Sequence, residues 1–120
     1  MKKKILIVED EGIIALNYRM ALQGKSFEIT DSVATGRKAI ESVKRSYPDL
    51  ILMDIKLKGG MDGIEAADHI RNSNKIPVIF LSGNSDPETR KRALKVDHAE
   101  YLEKPVEMKS LIKTINRLIL

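Results

Sequence analysis

Three uninterrupted apolar runs, Ile5–Val8, Leu50–Met53 and Val78–Leu81, constrain the fold of this chain more than any other feature. Each has the length of a strand, is rich in Ile, Leu and Val, and lacks the polar alternation of a strand with one wet face. Such runs are the pattern of central parallel strands, which are buried on both sides and need helices over both. Two weaker segments complete the set. "FEITDSV" (27–33) places Phe27, Ile29, Asp31 and Val33 against polar neighbours, which suits an edge strand, and the short "EYL" (100–102) suits the opposite edge.

Helical patterns separate the strands. Residues 11–23 carry Ile14, Leu16, Met20 and Leu22; residues 36–46 carry Ala39, Ile40 and Val43 and stop before Pro48, which no helix continues through. Residues 63–72 carry Ile64, Ala67 and Ile70. "SDPETRKRALKV" opens with a capping pattern, Ser85-x-x-Glu88, with Pro87 in its first turn. Its apolar anchors are few: Ala93, Leu94 and Val96. Residues 107–119 form the most regular stripe, with Met108, Leu111, Ile112, Ile115, Leu118 and Ile119. The sum is five β/α repeats, an α/β chain with a doubly wound parallel sheet, helices on both faces and right-handed crossovers. At 120 residues the expectation is one domain, 1–120, with a single core.

Composition enters as a set of exclusions. Without Cys there are no disulfides and no thiolate metal sites, and cytoplasmic residence is expected. The start "MKKKILIVEDE" fails as a signal peptide because Glu9, Asp10 and Glu11 cut its apolar run short. It reads as a natural N-terminus, of a stand-alone domain or of the first piece of a longer regulator. No stretch approaches the roughly 20 apolar residues of a membrane span. Aromatic content of 4% argues against a stacking surface for single strands. The group Arg90, Lys91, Arg92 and Lys95 reads as a solvated face or one for a protein partner, so direct nucleic-acid binding is not expected.

Ligands of open α/β sheets bind beyond the carboxyl ends of the strands. Glu9 and Asp10 follow the first strand, Asp54 ends the third, Ser82 follows the fourth and Lys104 the fifth. Singly, each has a plain explanation as turn former, helix cap or solvated charge. Together they put three carboxylates, a hydroxyl and an ammonium at one end of the sheet. Clustered carboxylates resist ionising together, and a hard divalent cation with oxygen ligands, Mg²⁺, relieves them. The ammonium and hydroxyl then suit an anion, and a carboxylate beside them describes phosphoryl transfer to Asp. His69 and His98 lie outside this set and read as surface residues.

"ILIVEDE", "PDLILMDIKLKGGMDGIEAA", "IPVIFLSG" and "YLEKP", in this order and spacing, resemble the receiver domain of two-component response regulators over the full chain. The resemblance implies a flavodoxin-like sheet of order 2-1-3-4-5. It implies that Asp54 accepts a phosphoryl group from a sensor histidine kinase or His phosphotransfer protein. Asp10 and Asp54 would bind Mg²⁺ directly, Glu9 mainly through water and Lys56 through its backbone carbonyl. Lys104 would pair with a phosphoryl oxygen, Ser82 would be the hydroxyl that moves toward it, and Tyr101 the aromatic that changes rotamer in step. A cis Lys104-Pro105 bond is expected, as is a monomer or a weak phosphorylation-dependent dimer. Such a domain is a signalling module that assists its own phosphorylation and dephosphorylation, rather than an enzyme. Phosphorylation is expected to shift the surface of residues 84–119 toward a downstream target.

The sequence also departs from the common pattern. Its loop after Asp54 is one residue longer, with Gly59-Gly60 to absorb the extra residue and Gly63 to turn into the helix. Ser82 stands where Thr is commoner, Ala99-Glu100 where Gly-Ala is often seen, and Lys56 and Asn84 occupy the positions that tune dephosphorylation. The enzyme alternative, a haloacid-dehalogenase-type phosphohydrolase, requires an Asp two residues after its nucleophile, where this chain has Lys56. An FMN carrier of the same fold requires a phosphate loop where Glu9 and Asp10 would repel phosphate. No P-loop pattern is present, and the intact acidic set argues against a scaffold that works by binding alone.

Overall fold

The computed structural model describes residues 2–24, 26–83 and 86–119. In chain order the elements are β1 (Lys3–Val8), α1 (Gly12–Leu22), β2 (Phe27–Val33), α2 (Gly36–Ser46), β3 (Leu50–Asp54), α3 (Gly63–Arg71), β4 (Val78–Ser82), α4 (Pro87–Leu94), β5 (Ala99–Glu103) and α5 (Met108–Ile119). The strands form one sheet in the order β2-β1-β3-β4-β5. Every neighbouring pair runs parallel. The three apolar runs are its three inner strands, and the two weaker segments are its edges.

Side chains alternate across the sheet, so each continuous run feeds two cores. Leu6, Val8, Ile51, Met53, Val78 and Phe80 point to the side covered by α2, α3 and α4. Ile5, Ile7, Leu50, Leu52, Ile79 and Leu81 point to the side covered by α1 and α5. That is why the runs show no polar alternation: neither face of an inner strand meets water.

Two helices depart from the patterns read in the sequence. In α1 the sheet-facing stripe is Ala15, Tyr18 and Leu22, spaced three and four apart. Leu16 and Met20, expected inside, sit a helical step off that stripe and are 51% and 70% exposed, with Ile13 at 78%. Met20→Gln should therefore leave the melting temperature within about 2 °C, whereas Leu22→Ala should cost about 3 kcal/mol. A thermal melt of both variants checks the assignment.

In α4 only Ala93 is buried among the helix's own residues. Val96 just beyond it is also buried, but Leu94 is half exposed and is no anchor. The N-cap of α4 is Asp86, whose carboxylate accepts the backbone N–H of Glu88 at 3.2 Å and the Thr89 hydroxyl at 3.1 Å. The expected cap, Ser85, lies outside the described residues, as does Asn84. Among the described residues no helix is long and apolar enough to cross a membrane.

Candidate functional site: an acidic pocket at the strand ends

Parallel register brings the strand ends into one row. Val8 is paired with Met53, Asp54 with Leu81 and Ser82 with Glu103, so the residues that follow or end these strands meet. Backbone bonds carry the row past the strands: the N–H of Glu9 donates to Val33 O at 3.0 Å, that of Ile55 to Leu81 O at 3.1 Å and that of Lys104 to Ser82 O at 2.7 Å. The Lys104-Pro105 bond is cis.

Glu9, Asp10 and Asp54 each bring a carboxylate oxygen within 4.8 Å of the others'. Glu9 and Asp54 are buried, at 4% and 5% exposure, and Ser82 beside them at 4%. Lys104 reaches into the group, donating to Glu9 Oε1 at 2.9 Å and standing 3.4 Å from Asp54 Oδ1. The other Glu9 oxygen accepts the N–H of Glu11 at 3.1 Å. Three carboxylates and one ammonium leave two negative charges over (−3 + 1 = −2), which a divalent cation matches. The donor set is all oxygen and hard, so the residues fit Mg²⁺.

The electrostatics record this crowding. Burial, then the charge of Glu9, pushes the Asp54 carboxyl up to about 7, against the opposing pull of Lys104. Burial draws the Lys104 ammonium down, but its bond to Glu9 and the charges of Asp54 and Glu9 outweigh this and hold it above the usual lysine range. Tyr18 on α1, 4% exposed, faces the same charges, and its phenol is raised chiefly by burial. The sequence reading passed over Tyr18, although its place three after Ala15 and four before Leu22 marks it as inward.

The other expected site residues are placed as follows. Lys56 lies in the loop after Asp54 with an exposed side chain. Gly59 and Gly60 hold φ of +95° and +84°, a region that favours glycine. Gly63 has a different reason from the one expected. It is needed for a close approach: a Cβ there would collide with the Asp54 carbonyl oxygen and come within 2.8 Å of Met53 Cγ. Tyr101 on β5 is half-buried, with the Arg90 guanidinium 5.3 Å from its ring centre. His69 and His98 are exposed and belong to other parts of the surface. The Asp62-x-x-Glu65 capping box, which closes the loop from Asp54, was readable but not read.

A doubly wound parallel sheet thus carries at its carboxyl end an acidic trio, two of its members buried, with a lysine reaching in beside it. The sequence model of the response regulator receiver domain matches residues 5–116. The transcriptional regulatory protein PdtaR of Mycobacterium tuberculosis is 32% identical over 113 residues, which cover 94% of this chain and 55% of that protein. The regulatory protein LuxO of Vibrio vulnificus is 34% identical over 94% of this chain and 25% of its own length. The chain thus spans about half the length, or less, of these curated relatives. Among solved structures, the signal receiver domain of a modulated diguanylate cyclase from Desulfovibrio desulfuricans superposes with a TM-score of 0.89 at 32% identity, covering 99% of this chain and 94% of that one. The chemotaxis protein CheY4 of Vibrio cholerae gives 0.88 at 26% identity, with both chains fully covered.

This chain belongs to the response regulator receiver domain family. It is a signalling module of the phosphorylation-activated kind found in two-component systems, and the phosphohydrolase alternative finds no support.

Proposed function

We propose that Asp54 is the phosphoacceptor and that the donor is a sensor histidine kinase or a His phosphotransfer protein. The observation that carries the reading is the burial of Asp54 between two further carboxylates and Lys104, 3.4 Å away. A carboxylate so placed is a fixed nucleophile beside an ammonium ready to take up a phosphoryl oxygen.

Asp10 and Asp54 would hold Mg²⁺ directly, Glu9 mainly through water, and Lys56 by its backbone carbonyl. When bound, the ion neutralises charge on the phosphoryl oxygens and the carboxylates. An Asp54 oxygen attacks phosphorus, the donor's N–P bond breaks, and its electron pair returns to the imidazole nitrogen, which takes up a proton. Lys104 exchanges Glu9 for a phosphoryl oxygen. Ser82 then draws toward that group and Tyr101 follows, shifting populations of the α4, β5 and α5 face for a downstream protein target. The weak anchoring of α4, by Ala93 and Val96, supports that face as the part that moves.

Residues 1–120 act in this reading as one cytoplasmic domain, monomeric or weakly dimeric when phosphorylated, without membrane or nucleic-acid contact. Its catalysis is confined to its own phosphorylation and dephosphorylation.

Incubation with acetyl phosphate and Mg²⁺ should add one phosphoryl group by intact mass, and EDTA should prevent it. No gain in the unmodified protein would sink the reading. Beryllofluoride with Mg²⁺ should shift amide resonances along α4, β5 and α5; shifts confined to the pocket would remove the switch.

A further inference from the structure

An ion pair ties α4 to the end of the loop that leaves Asp54. Arg92 Nη2 lies 3.1 Å from Asp62 Oδ2, across thirty positions of sequence. Asp62 is otherwise engaged as the cap of α3. Its Oδ1 accepts the Glu65 N–H at 2.8 Å, and Glu65 Oε1 accepts the Asp62 N–H at 3.0 Å. The next residue, Gly63, rests on the acceptor's own backbone. Its N–H donates to Ile55 O at 2.8 Å, and the Asp54 carbonyl fills the space where a Cβ would stand. Arg92, Asp62, Gly63 and the Asp54 main chain are thus contiguous, and only the arginine side chain in that series is long and flexible.

The loop between them needs such a hold. Gly59 and Gly60 are exposed and sit at positive φ, where the backbone is least restricted. One bridge, Thr35 to Lys58, fastens its middle, and the Asp62 cap fastens its end. On the other side, α4 buries only Ala93 within the helix, so its remaining holds carry more of its placement.

We propose that Arg92 is a positioning residue of the phosphorylation site. Through Asp62 it fixes the loop of residues 55–62, so the acceptor's surroundings depend on where α4 sits. The inference rests on the reading of Asp54 as acceptor and deepens it. The route shares no residue with Ser82 and Tyr101. Linkage makes it reciprocal: a partner that draws α4 away from Asp62 loosens the acceptor loop, and a change in that loop alters the hold on α4.

Arg92→Gln, Asp62→Asn and the double variant test it, because Asn keeps the cap of α3 while removing the charge. Two quantities are read: the rate of phosphorylation by acetyl phosphate with Mg²⁺, and amide exchange at Gly63 in metal-free protein. Each single change should slow phosphorylation and speed Gly63 exchange by about 3-fold, the scale of an exposed pair. The double variant should go no further, since both changes remove one contact. Melting temperatures should stay within about 2 °C, which separates positioning from a general loss of stability. Rates and exchange unchanged in all variants, or single effects that multiply in the double, overturn the role of Arg92 while leaving Asp54 as acceptor. An unmodified protein that takes no phosphoryl group overturns both.

Discussion

Asp54→Asn should end phosphoryl gain and, in metal-free protein at pH 8, raise the melting temperature. A carboxamide keeps the shape of the side chain but is no nucleophile for phosphorus, so intact mass should stay flat under acetyl phosphate and Mg²⁺. The stability gain follows from the pocket's charge. Burial and the charge of Glu9 push the Asp54 carboxyl up to about 7, from 3.8 for the ordinary side chain. The folded protein therefore holds that proton more tightly than the unfolded chain. The contribution to stability is complete below about pH 3.8 and is lost as pH rises through about 7. Above that window the native state carries an ionised, crowded carboxylate, and Asn removes it. Because the variant also loses the pairing of Asp54 with Lys104, the gain at pH 8 should be about 1–2 kcal/mol, or several degrees. At pH 4 it should nearly vanish. Melts at both pH values check this, and equal melting at pH 8 would mean the carboxylates sit together without cost.

Gly63→Ala, at the first position of α3, should be more damaging than alanine at a glycine of the loop before it. The added Cβ meets the Asp54 carbonyl oxygen and Met53 Cγ, both held in an inner strand that cannot retreat without disturbing the sheet. A clash with backbone is not relieved by a rotamer change. The expected cost is about 3 kcal/mol, a fall in melting temperature of roughly 10 °C, together with slower phosphorylation because Asp54 is displaced. Gly60→Ala is the informative companion. It has open space around its Cβ but a φ of +84°, so it should cost only about 1 kcal/mol, from backbone strain. If the two variants melted alike, the close approach at Gly63 would not matter.

The strand ends were the legible part of the molecule. Each inner strand is an apolar run that stops at a polar residue, so Glu9, Asp54 and Ser82 announce themselves, and the row at the carboxyl end follows from parallel pairing. Lys104 is readable by the same logic at the edge. The faces of α1 were only partly legible: Ile14 does pack against the core beside Ala15, Tyr18 and Leu22, but the exposed Ile13, Leu16 and Met20 are as apolar as that stripe. Apolar side chains on a surface blur the helical period. Gly63 was misread because a glycine after a loop looks the same whether it serves a turn or a close approach. The Arg92–Asp62 pair had no local signal, since its partners meet only after β4 has been added to the sheet.

Lys104 and Glu9 are bonded across ninety-five positions of chain, and this separation has a consequence for the protein's birth. Synthesis runs from β1 outward, yet β1 ends up between β2 and β3, and the lysine arrives just after β5. A ribosome-bound copy that has not yet delivered β5 holds all three carboxylates but no ammonium to set against them. A copy cut short before Lys104 is in the same state. On the proposed reading, the charge balance that suits Asp54 to accept a phosphoryl group is therefore complete only once β5 and the lysine after it have been delivered.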